Sequence, residues 1–102
     1  MAQQNTRFVK KTAADYIAES DSDKKTIEVL NKVFDALIAK GCYDPINQLH
    51  GYIISEDPTY ITSLNNARTL ITSVDKDDII RILLKEFLKA KVTEENKRNE
   101  RR

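Results

Sequence analysis

The chain has 102 residues, 40% apolar and 32% charged, and its 17 basic and 16 acidic residues leave a formal net charge of +1. Such a balance supports one modest core and argues against a dedicated nucleic-acid binder. A lone cysteine, Cys42, excludes an internal disulfide, no Cys/His cluster has zinc-ligand spacing, and no apolar run suits a membrane span or an export segment. The expectation is therefore a cytoplasmic protein without membrane insertion.

Residues 1–22 hold few large apolar side chains, namely Phe8, Val9, Tyr16 and Ile17, and read as a flexible arm in which 12–19 forms a helical turn on docking. The foldable domain is expected over 23–91. Its first helix, 23–40, carries Ile27, Leu30, Val33, Phe34, Leu37 and Ile38 at three-and-four spacing, with Ser22 or Asp23 as N-cap and Gly41 as C-cap. Asp44-Pro45 reads as N-cap and N1 of a short second helix bearing Ile46, Leu49, Tyr52 and Ile53, which ends near Ser55 ahead of Asp57-Pro58.

A third helix is placed after Thr62 or Ser63, with Leu64, Ala67, Leu70, Ile71 and Val74. Asp75 caps a fourth, whose first turn holds Asp77 and Asp78 against the positive helix end. Seven of the ten residues 79–88 of that helix are apolar, wider than one core-facing stripe. The alternatives are a tight bundle that covers it or, more economically, a second copy of the chain. Ile80, Leu83, Leu84, Phe87 and Leu88 are the residues proposed for core or dimer contact. Residues 92–102, dominated by charge, read as a disordered tail. The fold class is thus all-α, a small four- to five-helix core, with an intertwined homodimer as the expected assembly.

Catalytic chemistry finds little to work with. His50 has no second histidine, Cys42 has no C-x-x-C partner, and Asp75, Asp77 and Asp78 are explained by capping. Neither GxGxxG nor GxxxxGK[ST] occurs. No enzymatic activity, metal or cofactor is expected. Nucleic-acid binding is the rival tested on the third and fourth helices, whose cations are few or offset by acids. The hydroxyls of the arm are more informative: Thr6 precedes Arg7 and Thr12 follows Lys10-Lys11, positions accessible to a kinase.

The central segment narrows these readings. Tyr43, Pro45, Ile46, Asn47, Gln48, Gly51, Tyr52, Ser55, Asp57, Pro58, Tyr60 and Ile61, followed by Ala67, Arg68, Leu70 and Ile71, resemble the signature of the IreB family of small bacterial regulatory phosphoproteins. The resemblance covers about residues 25–90. It departs from the family pattern in placing Cys42 between Gly41 and Tyr43 and in having His50 at an apolar position.

What the resemblance implies is a non-enzymatic regulator, an intertwined helical homodimer with unstructured ends. Its partners would be a membrane-anchored Ser/Thr protein kinase, the cognate phosphatase and an unidentified downstream protein. The implied role is negative regulation of cephalosporin resistance within cell-envelope stress control. Thr6 resembles the second family phosphothreonine with spacing one residue shorter, Gln3 or Gln4 stands at the first, and Thr12 is a further candidate. Within the signature, Asn47 and Gln48 are expected to close the turns around Pro45, Gly51 to permit close helix approach, and the corner 57–60 to anchor Tyr60 on the core. A small helical nucleic-acid-associated or adaptor protein remains the alternative.

Overall fold

The computed structural model describes residues 11–41 and 44–100, and the regular structure among them is entirely helical. In order come α1 (Ala13–Ile17), α2 (Asp21–Lys40), α3 (Pro45–Ser55), 3₁₀ turns at Pro58–Tyr60 and Leu64–Asn66, α4 (Ala67–Thr72) and α5 (Lys76–Glu100). The all-α class and the number of helices agree with the periodicity.

Capping chemistry sets the boundaries. Helix α2 begins two residues before the expected start because Ser20 and Asp23 form a reciprocal capping box: the Asp23 amide donates to Ser20 Oγ, and the Ser20 amide donates to Asp23 Oδ2, both at 3.1 Å. It ends where expected, at Gly41, whose φ of 72° lies in the left-handed region that glycine occupies without a Cβ penalty. Helix α3 has the expected Asp44 N-cap, with Oδ1 accepting from the Ile46 amide at 2.8 Å and the Asn47 amide at 3.4 Å, and Pro45 in its first turn. Asp75 likewise precedes α5, its carbonyl accepting from the Ile79 amide at 3.0 Å.

The third helix departs from expectation. Asn65 and Asn66 stand at φ 52° and 63°, so the chain makes a 3₁₀ turn after Ser63 and regular helix starts only at Ala67. Asparagine is among the few residues other than glycine that accept this backbone region readily. Helix α4 is consequently six residues long, and Val74 lies beyond it.

The stretch Glu19–Leu83 forms one compact unit; α1 and the chain from Leu84 onward belong to a second. The first unit starts and ends earlier than the domain 23–91 read from the sequence. Its core is built from α2 (Val29, Leu30, Val33, Ala36, Leu37), α3 (Leu49, Tyr52), Ile61, α4 (Ala67, Ile71) and the start of α5 (Ile79, Ile82). Ile61, Ile71, Ile79, Ile82 and Val33 are the largest side chains almost wholly removed from water, each contributing about 1.5–3 kcal/mol of transfer free energy. Helix α2 packs on both α3 and α4. Its buried face is rotated from the expected stripe: Ile27 and Phe34 are half-buried and Ile38 is exposed, while Thr26, Val29 and Ala36 are inside.

In the second unit, Lys85 Nζ donates to the Ala18 carbonyl at 3.2 Å, and the Lys11 ammonium sits 5.6 Å from the Tyr16 ring centroid. Residues 92–100, expected in a disordered tail, continue α5. Once a helix is nucleated, each further residue costs only its propensity. Lys, Glu, Arg and Asn extend it without a glycine or proline to stop it, and Lys91 pairs with Glu95 at 2.7 Å one turn on.

Candidate interaction surface

The loop after α3 is assembled from short-range hydrogen bonds dictated by its residue types. Ser55 Oγ donates to the Gly51 carbonyl at 2.7 Å and accepts from the Asp57 amide at 3.0 Å. Glu56 closes the helix in the left-handed region at φ 58°, its amide donating to the Tyr52 carbonyl and its Oε2 accepting from Lys76 Nζ at 2.6 Å. Asp57 Oδ1 then accepts from the Thr59 amide at 3.0 Å and the Thr59 hydroxyl at 2.7 Å, an Asx turn that starts the 3₁₀ turn at Pro58. These bonds, first the amide and then the hydroxyl of Thr59, with Arg68 adding its charge, hold the Asp57 carboxyl below its ordinary value. The Lys76 ammonium is held above its usual range mainly by its hydrogen bond to Glu56. Burial pushes the Tyr52 phenol up, with the Glu56 charge adding to it.

Two longer-range bonds lock this loop to the helices. Gln48 Nε2 donates to the Tyr60 carbonyl at 3.0 Å, and Arg68 Nε donates to the Ile61 carbonyl at 2.8 Å. The Tyr60 ring lies on the α3 backbone at Gly51, where a Cβ would stand 2.5 Å from ring Cδ1 and 2.9 Å from Cζ. The close approach that Gly51 permits is therefore that of an aromatic ring, not of a second helix. Tyr60 remains 40% exposed, so it caps the helix surface instead of entering the core; Ile61 beside it is fully buried. Gln48 serves this loop, and it is Asn47 that turns back on the cap, Nδ2 donating to Asp44 Oδ2 at 3.3 Å.

With the loop fixed, the unit Glu19–Leu83 presents an apolar groove of about 250 Å³ lined by Phe34, Ile46, Leu49, His50, Ile53 and Leu83. His50 is exposed on its rim and is not part of the core. Ile46 and Ile54 are 66% and 71% exposed. Of the residues proposed on the last helix, Leu83 packs on the core, Ile80 and Leu88 are half-buried, and Leu84 and Phe87, in the second unit, are 64% and 75% exposed. The deepest positions of that helix are Ile79 and Ile82.

The chain matches the family model described as IreB regulatory phosphoprotein over residues 11–89. The chain belongs to the IreB family. The IreB family is one of regulatory phosphoproteins and not of catalysts. Among the described residues no group of three or more His, Cys, Asp or Glu is placed to hold a metal ion, and no helix is long and apolar enough to cross a membrane.

The IreB-like signature residues fall into three physical groups. Tyr52, Ile61, Ala67 and Ile71 are core, with half-buried Leu70 packed against it. Pro45, Asn47, Ser55, Asp57 and Pro58 shape the chain reversals. Gln48, Gly51, Tyr60 and Arg68 fasten the loop. Ile46 is the exception, left on the surface at the groove. Of the two candidate phosphothreonines, Thr12 is exposed ahead of α1, its amide and hydroxyl both donating to Asp15 Oδ2, at 2.9 and 3.2 Å. Thr6 lies outside the described residues, as do Cys42 and Tyr43.

Sequence reasoning missed Phe34 and Ile53 as groove walls and Arg68 as the clamp on Ile61. Amphipathic spacing marks the first two only as apolar. The clamp joins residues seven apart through a left-handed kink, which no periodic pattern signals.

Proposed function

We propose that this chain is a cytoplasmic regulatory phosphoprotein, modified by a Ser/Thr protein kinase at Thr6 or Thr12 and restored by the cognate phosphatase. Its output is contact with a downstream protein in cell-envelope stress control, as a negative regulator of cephalosporin resistance. Membership of the IreB family across residues 11–89 carries this reading. The exposed Thr12 beside Lys10-Lys11 suits it as a kinase acceptor. The six-residue α4, with Arg68 engaged on its own loop, is poorly suited to lie in a nucleic-acid groove, which favours the protein-contact reading over the rival.

The functional form is a homodimer. The apolar groove between α2 and α3, and separately the exposed Leu84 and Phe87, are the surfaces that support self-association. Incubating the full chain with the kinase and mapping phosphosites tests the modification; label confined to residues beyond 22 overturns it. Sedimentation equilibrium at micromolar protein tests the dimer. A mass twice 11.7 kDa is expected, and a concentration-independent 11.7 kDa rejects it.

A further inference from the structure

A second cavity of different chemistry opens between the last turn of α2 and the loop after α3. Its volume, about 230 Å³, falls below the ~300–1,000 Å³ typical of sites for drug-sized ligands and suits one side-chain-sized group. Two cations, Lys40 and Arg68, line it together with Gln48, Thr62 and Ser63, and no acidic residue is among its walls. Arg68 is half-buried and oriented by its Nε bond to the Ile61 carbonyl, so its guanidinium is held in place before any ligand arrives. The Ser63 hydroxyl makes no capping bond to the turn that it precedes. The acid whose carboxyl feels Arg68 is Asp57, and its Oδ1 is already taken by the amide and hydroxyl of Thr59.

A planar guanidinium, an ammonium and a hydroxyl around a small polar cavity are the donors that a phosphomonoester uses best. We propose that this cavity is a recognition site for a phosphothreonine side chain. The inference deepens the phosphoprotein reading and rests on it for the origin of the phosphate, either the amino-terminal arm of this chain or a threonine of another protein. Charge favours a switch. Residues 1–11 carry Arg7, Lys10 and Lys11 and no acid, so the unmodified arm has no side-chain anion to offer a cationic cavity. A phosphate on Thr6 places a dianion in the middle of that basic segment and supplies the anion such a site recognises.

The test uses the full chain, ¹⁵N-labelled, with four probes. These are a synthetic peptide of residues 1–11 phosphorylated on Thr6, its unphosphorylated counterpart, an unrelated phosphothreonine peptide, and inorganic phosphate as competitor. The phosphorylated arm peptide is expected to bind at least about tenfold tighter than the unphosphorylated one, to weaken with salt, and to shift the Gln48 side-chain amide and the Ser63 backbone amide. Lys40→Gln, an exposed change at the end of α2, should weaken it about fivefold while leaving the melting temperature nearly unchanged. Arg68→Lys is the second variant and should weaken it further.

Equal binding of the unrelated phosphopeptide identifies other proteins as the source; binding of the arm peptide alone identifies this chain; displacement by inorganic phosphate supports recognition of the anion itself in either case. Affinities of the phosphorylated and unphosphorylated arm peptides within about twofold of each other, or no loss in Lys40→Gln, would overturn the proposal. Because the phosphate is introduced synthetically, failure here leaves the kinase reading standing, and failure of phosphosite mapping leaves this site standing.

Discussion

Replacing Gly51 with alanine probes the contact that fixes the loop after α3. In an isolated helix the change is favourable, by about 0.8–1.0 kcal/mol of helix propensity. Here the new methyl would overlap the Tyr60 ring, at 2.5 Å from Cδ1 and 2.9 Å from Cζ, so the ring must leave. Forcing a methyl into a packed contact costs about 1–3 kcal/mol. If the loop follows the ring, the Gln48–Tyr60 carbonyl bond at 3.0 Å is lost as well, about 0.5–1.5 kcal/mol more. The sum is a net destabilisation of about 1–3 kcal/mol in Gly51→Ala.

The discriminating step is to repeat the substitution in a Tyr60→Ala background. With the ring gone the clash is gone, and Gly51→Ala should then stabilise the protein by up to about 1 kcal/mol. Urea denaturation at one fixed protein concentration reads both differences, which matters if the chain self-associates. A change of sign between the two backgrounds is expected. Equal destabilisation in both would place the cost elsewhere, and stabilisation in the parent chain would show that the ring does not rest on Gly51.

Three further outcomes follow from the same geometry. Arg68→Met removes the donor from the Ile61 carbonyl, and denaturation should show a loss of about 1–3 kcal/mol for the unsatisfied acceptor. Asp44→Ala removes the α3 cap and should cost about 1 kcal/mol in the same assay, with lower amide-exchange protection in the first turn of α3. Asp57 has a folded-state pKa below its ordinary 3.8, so its stabilising contribution is complete above that value and disappears as pH falls through the lower, folded-state pKa. The stability difference between the parent and Asp57→Asn, measured from neutral pH down, should therefore stay flat until about pH 4 and shrink below it; a difference that grows on acidification would contradict the Thr59 bonds.

The ends of α2 and α3 that glycine and proline mark were plain in the sequence, because Gly41 and Asp44-Pro45 each have one good structural use. The Ser20–Asp23 box was less visible, since aspartate stands where glutamate more often closes the box. The left-handed pair Asn65 and Asn66 was not visible at all: the apolar spacing of Leu64, Ala67 and Ile71 runs straight across it, and asparagine signals a turn only weakly. The width of the apolar band on α5 was read correctly, but not which of its residues go inside. Ile79 and Ile82 are buried while Leu84 and Phe87 are exposed, and the choice depends on where α4 ends and how the chain turns at 73–75. The family signature marked Gln48, Gly51, Tyr60 and Arg68 without revealing that they hold one loop, since their bonds join positions seven and twelve residues apart.

The regulatory account is tested most directly by the phosphorylation state of the chain in its own cells. The full-length protein, isolated with phosphatases inhibited and fragmented intact in a mass spectrometer, should carry phosphate on Thr6 or Thr12. A population without phosphate under envelope stress and in its absence, or phosphate found only beyond residue 22, would contradict it.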